Sequence, residues 1–271
     1  MKPSQIAAQL YTVRQFTQNA EDLAQTLKKI KAIGYASVQV SGLGPIEDQV
    51  IADLIRGAGL GCCVTHEPGA TLLRDPLKAA RRLKTLGCRH TAFPIPAGLM
   101  QPTPYPGEGK LETLEDVLAL AQALDQSGAV LRGEGIQLSY HNHAAEFRRF
   151  GGKAMLDIIY DECRPENLMA ELDVYWVQAG GADPAAWCRK LKGRLPLIHI
   201  KDYAIGPDFK PAFAEVGYGN LDMPAIVAAA EEAGCEWFIV EQDVCPGDPF
   251  ESLKMSYDYM RSTFCAARRV S

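Results

Sequence analysis

The sequence lacks the marks of several large protein classes. It carries 28 Lys and Arg against 33 Asp and Glu, for a net charge of −5, so no excess of positive charge draws it to a phosphate backbone or an anionic lipid surface. Basic pairs such as Lys28–Lys29 and Arg81–Arg82 sit in helical patterns beside acidic residues and read as solvated helix faces. No run of about 18 uncharged apolar residues occurs, so no membrane span is expected. The opening Met1-Lys2-Pro3-Ser4-Gln5 leads straight into a strand pattern, without the charged and apolar regions of a secretory signal. The eight cysteines form no CxxC pair, which argues against a structural zinc site, and adjacent Cys62–Cys63 read as small buried thiols. A reduced, cytoplasmic setting is the expectation. Neither GxGxxG after the first strand nor GxxxxGK(S/T) is present, which weighs against nucleotide-binding α/β folds.

What the chain does have is a regular alternation. Strand-like runs are expected at 6–13, 35–41, 61–66, 90–94, 136–143, 168–176, 195–201 and 237–242. Helical patterns lie between and after them, at 21–33, 49–57, 77–86, 114–124, 154–162, 184–191, 224–233 and 250–264. Asn19 and Thr113 stand as N-caps before acidic first turns, and Gly34, Gly87 and Gly234 as C-terminal stops. Strands spaced by single helices pair in parallel through right-handed crossovers, and eight such units predict one closed (β/α)8 barrel over residues 1–271. With 47% hydrophobic residues, a chain of this length buries about three quarters of its unfolded surface. The longest irregular segment, 97–109 with Pro102, Pro104 and Pro106, follows strand four and is expected to lie over the barrel mouth.

In a barrel of this kind the chemistry sits where the strands end. Strand five ends Tyr140-His141-Asn142-His143, strand six carries Glu171-Leu172-Asp173, strand seven reads His199-Ile200-Lys201-Asp202, and strand eight reads Val240-Glu241-Gln242-Asp243. Residues i and i+2 share a face, so His141 joins His143 and His199 joins Lys201. A lone strand-end histidine is more often a structural hydrogen-bonding residue, Asp173 alone suits a loop cap, and Lys201–Asp202 suits a surface pair. Four consecutive strands ending alike point further, to a cluster that needs a cation or a tight hydrogen-bond network. Mixed imidazole and carboxylate donors suit Mn, Co, Fe or Zn better than Ca. Gln9, Gln39 and His66 on the first three strands, with Trp176, are candidates for binding substrate hydroxyls. His90 begins its strand and belongs at the opposite end.

At these positions the sequence resembles the sugar phosphate isomerase/epimerase superfamily of xylose-isomerase-like TIM barrels, which includes inosose dehydratases, ketose 3-epimerases and endonuclease IV. The resemblance rests on Gln9-Leu10-Tyr11-Thr12-Val13-Arg14, Tyr140-His141-Asn142-His143-Ala144-Ala145-Glu146-Phe147, Glu171 to Trp176, His199 to Asp202, Glu215-Val216-Gly217-Tyr218-Gly219 and Val240 to Asp243, a YHNHxxEF-type branch. It implies a divalent metal (Mn, Co, Mg, Fe or Zn, with Mn favoured) bound by Asp173, His199 and Glu241. Strand five departs from the family, lacking the glutamate of the ketose epimerases, which weighs against a two-Glu mechanism; His141 is the expected fourth ligand there, with Glu146 the competing candidate and also a catalytic one. The expected activity is proton abstraction next to a carbonyl of a sugar, keto-sugar or cyclitol, as an isomerase, epimerase or dehydratase. His143 or Glu241 would move the proton and Lys201 would stabilise oxyanion charge. A sugar-binding barrel without turnover and an endonuclease IV-like phosphodiesterase are the other readings. An unphosphorylated small-molecule substrate, no nucleic acid or membrane partner, and a possible homo-oligomer complete the expectations.

Overall fold

The computed structural model describes residues 1–95 and 111–265, so the expected loop at 97–109 lies outside the described residues. The eight expected strands are present as β1 (Ile6–Gln9), β2 (Ser37–Val40), β3 (Gly61–His66), β4 (His90–Phe93), β5 (Gln137–His141), β6 (Met169–Asp173), β7 (Leu197–Ile200) and β8 (Trp237–Val240). They pair in sequence order and close between β1 and β8 into a barrel, every pairing parallel.

Several strands stop earlier than their apolar runs suggest, and in β1, β5 and β6 polar residues at the rim capture the backbone. After Gln9 the chain turns into a 3-10 segment, Leu10–Phe16, with the Gln9 side chain accepting from the Tyr11 amide. β6 gives way after Asp173 to a short helix, Val174–Ala179, capped by the Asp173 carboxylate on the Trp176 amide. β5 ends at His141, and His143 opens a 3-10 turn, Ala144–Phe147.

The main outer helices are α1 (Ala20–Ile33), α2 (Asp48–Gly57), α3 (Pro76–Leu86), α4 (Leu114–Gly133), α5 (Met155–Glu162), α6 (Pro184–Lys190), α7 (Met223–Ala233) and α8 (Pro249–Phe264). Helix α4 runs well past the expected end at Leu124, since its buried stripe continues through Ser127, Gly128 and Leu131. The caps stand where the sequence puts them: Asn19 accepts from the Asp22 amide, and Thr113 forms a capping box with Asp116. Gly87 and Gly234 take the left-handed conformation that stops α3 and α7. Among the described residues no helix is long and apolar enough to cross a membrane.

Two apolar layers result. The larger fills the space between sheet and helices, with Leu23, Leu27 and Ile30 of α1 as typical members at helical spacing. The smaller plugs the barrel interior with Ala7, Cys63, Val64, Ala92, Leu197 and Ile239. Strand alternation then puts the next inward residue of each strand, two positions on, directly above this plug.

Helix α4 docks on the turn before β6, where a Cβ at buried Gly128 would lie 2.0 Å from the Asn167 carbonyl oxygen. Gly128→Ala is therefore expected to cost about 1–3 kcal/mol or more in urea unfolding. Gly133→Ala, with open space around its Cβ, should be neutral or gain up to about 1 kcal/mol.

Candidate active site at the barrel mouth

Above the apolar plug lies a wholly polar layer. His199 follows Leu197 on β7, Glu171 and Asp173 lie on β6, Gln39 on β2, His141 on β5, and Glu241 just beyond β8, all of them buried. Asn142 ties the ends of β5 and β6 together, accepting from the Asp173 amide at 2.9 Å and donating to the Asp173 carbonyl at 3.4 Å.

His199 is the hub. Its Nδ1 lies 2.6 Å from Glu241 Oε2 and 3.7 Å from Asp173 Oδ2, while its Nε2 lies 2.7 Å from Gln39 Oε1 and 3.4 Å from Glu171 Oε2. Burial works against a charge on this ring, but Glu171 and Glu241 outweigh it and hold the imidazole up to about 10. Lys201 is the second buried cation. Its Nζ stands 3.0 Å from Asp173 Oδ2, 2.9 Å from Glu241 Oε2, and 3.0 and 3.1 Å from the two oxygens of Asp243. Burial again opposes its charge, and Asp173, Glu241 and Asp243 override it, keeping the ammonium protonated.

The carboxylates divide accordingly. Against the cost of burial, Lys201 and His199 hold Glu241 well below the usual carboxylate range, and His199 and His66 do the same for Glu171. Burial pushes Asp173 upward, and burial with the neighbouring Glu241 takes Asp243 up to about 6. His143 sits at the rim, its ring 4.9 Å from that of His141 and 5.5 Å from Trp176; burial and the Lys201 charge bring it down to about 4, so it is unprotonated at neutral pH.

An aromatic wall rises beside these groups. Trp176 and Tyr175 from the short helix after β6 pack on Tyr203 and Phe213 of the hairpin Asp202–Ile205/Pro211–Ala214 that follows β7. Gln9 Nε2, His143 Nδ1 and Trp176 Nε1 are buried and without a hydrogen-bond partner among the described residues.

The structure thus brings together Gln9, Gln39, His66, His141, His143, Asp173, Trp176, His199, Lys201 and Glu241, all singled out from the sequence. His90 lies at the other end, beside Glu236 at 3.7 Å. Glu146 stands apart from the cluster: its oxygens accept from the Tyr140 hydroxyl at 3.1 Å and the His143 amide at 2.9 Å. Lys201 and Asp202 are no surface pair, for both are buried and Asp202 accepts backbone amides from Tyr203, Gly217, Gly219 and Leu221. Glu171 and Asp243 were not singled out, although each shares a face, two positions away, with a residue that was.

Asp173, His199 and Glu241 each offer a ligand atom within 4.8 Å of the others, and all three are buried. His199 points one nitrogen at this group and fixes the other on Gln39, the arrangement that orients an imidazole ligand. The Lys201 ammonium neutralises Asp173 and Glu241 at this position and pairs with Asp243 as well, so the group is one that positive charge stabilises. The donor set therefore fits a divalent cation.

Residues 27–263 match the model of the xylose isomerase-like TIM barrel family. No curated protein matches the sequence. Among solved structures the chain is similar to a sugar phosphate isomerase/epimerase from Parabacteroides distasonis ATCC 8503, at 21% identity over 98% of this chain and 96% of that one, TM-score 0.77. It is also similar to an L-ribulose 3-epimerase, at 16% identity over 99% and 100%, TM-score 0.71. A D-allulose 3-epimerase from Methylomonas sp. is alike at 16% identity over 97% and 98%, TM-score 0.69. At such identities these likenesses speak for the shared barrel.

Burial raises the Glu146 carboxyl from 4.5 to about 7, so the folded chain keeps a proton there that the unfolded chain has lost. This contribution to stability is fully present below pH 4.5 and is lost as pH rises to about 7, at a cost of roughly 1–3 kcal/mol. Urea unfolding across that window should show the decline in wild type and a flatter profile in Glu146→Gln.

Proposed function

The chain belongs to the xylose isomerase-like TIM barrel family, and on that premise we propose that it is a metal-dependent enzyme abstracting a proton next to a carbonyl of an unphosphorylated sugar, keto-sugar or cyclitol. The observation that carries this reading is the charge pattern at the mouth. Asp173 and Glu241 converge with His199 on one cation position, and an unprotonated imidazole, His143, stands at the rim beside them.

A divalent ion held by Asp173, His199 and Glu241 supplies positive charge that polarises a substrate carbonyl or hydroxyl oxygen, with Mn the first candidate among Mn, Co, Mg, Fe and Zn. The remaining roles fall to side chains. His143 Nδ1, buried and unpartnered, is free to take a proton from carbon, and Glu241 is the other candidate base. Lys201, kept charged by its carboxylate neighbours, offsets the negative charge that develops on oxygen once the proton leaves. Trp176 and Tyr175 present an apolar face to the carbon side of a ring, while Gln9 Nε2 and Trp176 Nε1 offer donors to hydroxyl oxygens. Proton abstraction of this kind serves both isomerisation and loss of water at the next carbon, and the products tell them apart.

The test combines metal content with isotope exchange. Elemental mass spectrometry of the purified protein is expected to find a divalent ion that Asp173→Asn and His199→Ala lose. With keto-sugars and inososes in D2O, wild type should place deuterium next to the carbonyl. His143→Gln should keep the ion and lose about 10²–10⁴ in rate. Saturable sugar binding without exchange or turnover, at any metal loading, would reduce the protein to a binding barrel and sink the catalytic reading.

A further inference from the structure

We propose that His66, His141 and Glu171 form a second divalent-cation site, one layer deeper in the barrel than Asp173 and Glu241. Glu171 precedes Asp173 by two residues on β6, which sets it roughly 6–7 Å further down the strand. Its two oxygens have different partners. Oε1 accepts from Gln39 Nε2 at 3.0 Å, and this bond turns Oε2 toward three imidazoles: His66 Nε2 at 2.5 Å, His141 Nδ1 at 3.2 Å and His199 Nε2 at 3.4 Å. These ligand atoms all lie within 4.8 Å of one another.

Three features mark this group as a built site. First, His141 Nδ1 is buried and faces Glu171 without the alignment of a hydrogen bond, so it is an unpartnered donor atom aimed into the cluster. Second, Lys201 pairs with Asp173, Glu241 and Asp243, so among the described residues Glu171 has only imidazoles for partners on its Oε2, the charged His199 included. The rings pack around it with centroids 4.8 Å apart for His66–His141, 4.5 Å for His141–His199 and 5.6 Å for His66–His199. Third, the outer ligand is oriented from behind, since Ser41 Oγ lies 3.4 Å from His66 Nδ1 while Nε2 faces Glu171. Ser41 and His66 also line a cavity of about 530 Å³ between α2 and α3, so the outer ligand borders open space.

Two imidazoles and one carboxylate suit Zn, Fe, Co or Mn rather than Ca or Mg. His199 is the shared wall of the two sites: its Nδ1 faces Asp173 and Glu241 above, and its Nε2, bonded to Gln39, lies 3.4 Å from Glu171 Oε2 below. The lower site stands on its own residues and does not need the catalytic reading.

The experiment strips the full-length protein with chelator, reloads it with Co2+ alone, and reads ions per chain by elemental mass spectrometry beside the visible Co2+ absorption. Two ions are expected in wild type and one in either His66→Ala or Glu171→Gln. One is also expected in Asp173→Asn, with a different spectrum because the surviving ion is the lower one. His66 lies at the edge of the cluster, so its variant keeps the test valid if Glu171→Gln fails to fold. A single ion lost with Asp173→Asn and kept in His66→Ala and Glu171→Gln overturns the second site and leaves the upper one standing. A single ion lost in the lower variants and kept in Asp173→Asn supports the lower site and removes the upper one.

Discussion

Glu171, Asp173, Glu241 and Asp243 gather at the mouth of one barrel, and the rest of the molecule is arranged around what their burial demands. Carboxylates taken out of water must meet positive charge or well-directed donors at close range, since an uncompensated buried charge costs several kcal/mol. Lys201 answers for three of them and His199 for the fourth together with Glu241. The apolar plug beneath keeps water from doing the same work, and the strand ends above are stopped short so that backbone groups and side chains at the rim complete the network.

Much of this is legible in the sequence itself. The eight strands come from apolar runs bounded by helical patterns, and the barrel follows from their number and the short connections. The inward direction of His141, His199 and Lys201 follows from alternation alone. The caps Asn19 and Thr113 were explicit because their side-chain chemistry is local.

What was less legible depends on more than one strand at a time. Glu171 shares the inward face with Asp173, so alternation pointed to it, yet its partners His66 and Gln39 come from the far side of the barrel. Which residues meet across a barrel is set by the stagger of all eight strands, including the register shift between Val38 and Gln39 where β2 meets β3. Glu146 illustrates the opposite problem. Its motif puts it near the histidines in sequence, but the 3-10 turn after His143 carries it to Tyr140, outside the barrel wall.

The hairpin after β7 has its own consequence. Asp202 gathers four backbone amides at the root of the 203–221 excursion, fixing both ends of the loop at a single carboxylate. The tip around Phe209 owes little to the barrel; that side chain is 89% exposed. A root clamped this firmly lets the tip drift in length and composition without disturbing the layer below. Descendants of this sequence, or an engineer, have there a stretch of surface that can be rewritten while the buried polar layer stays as it is.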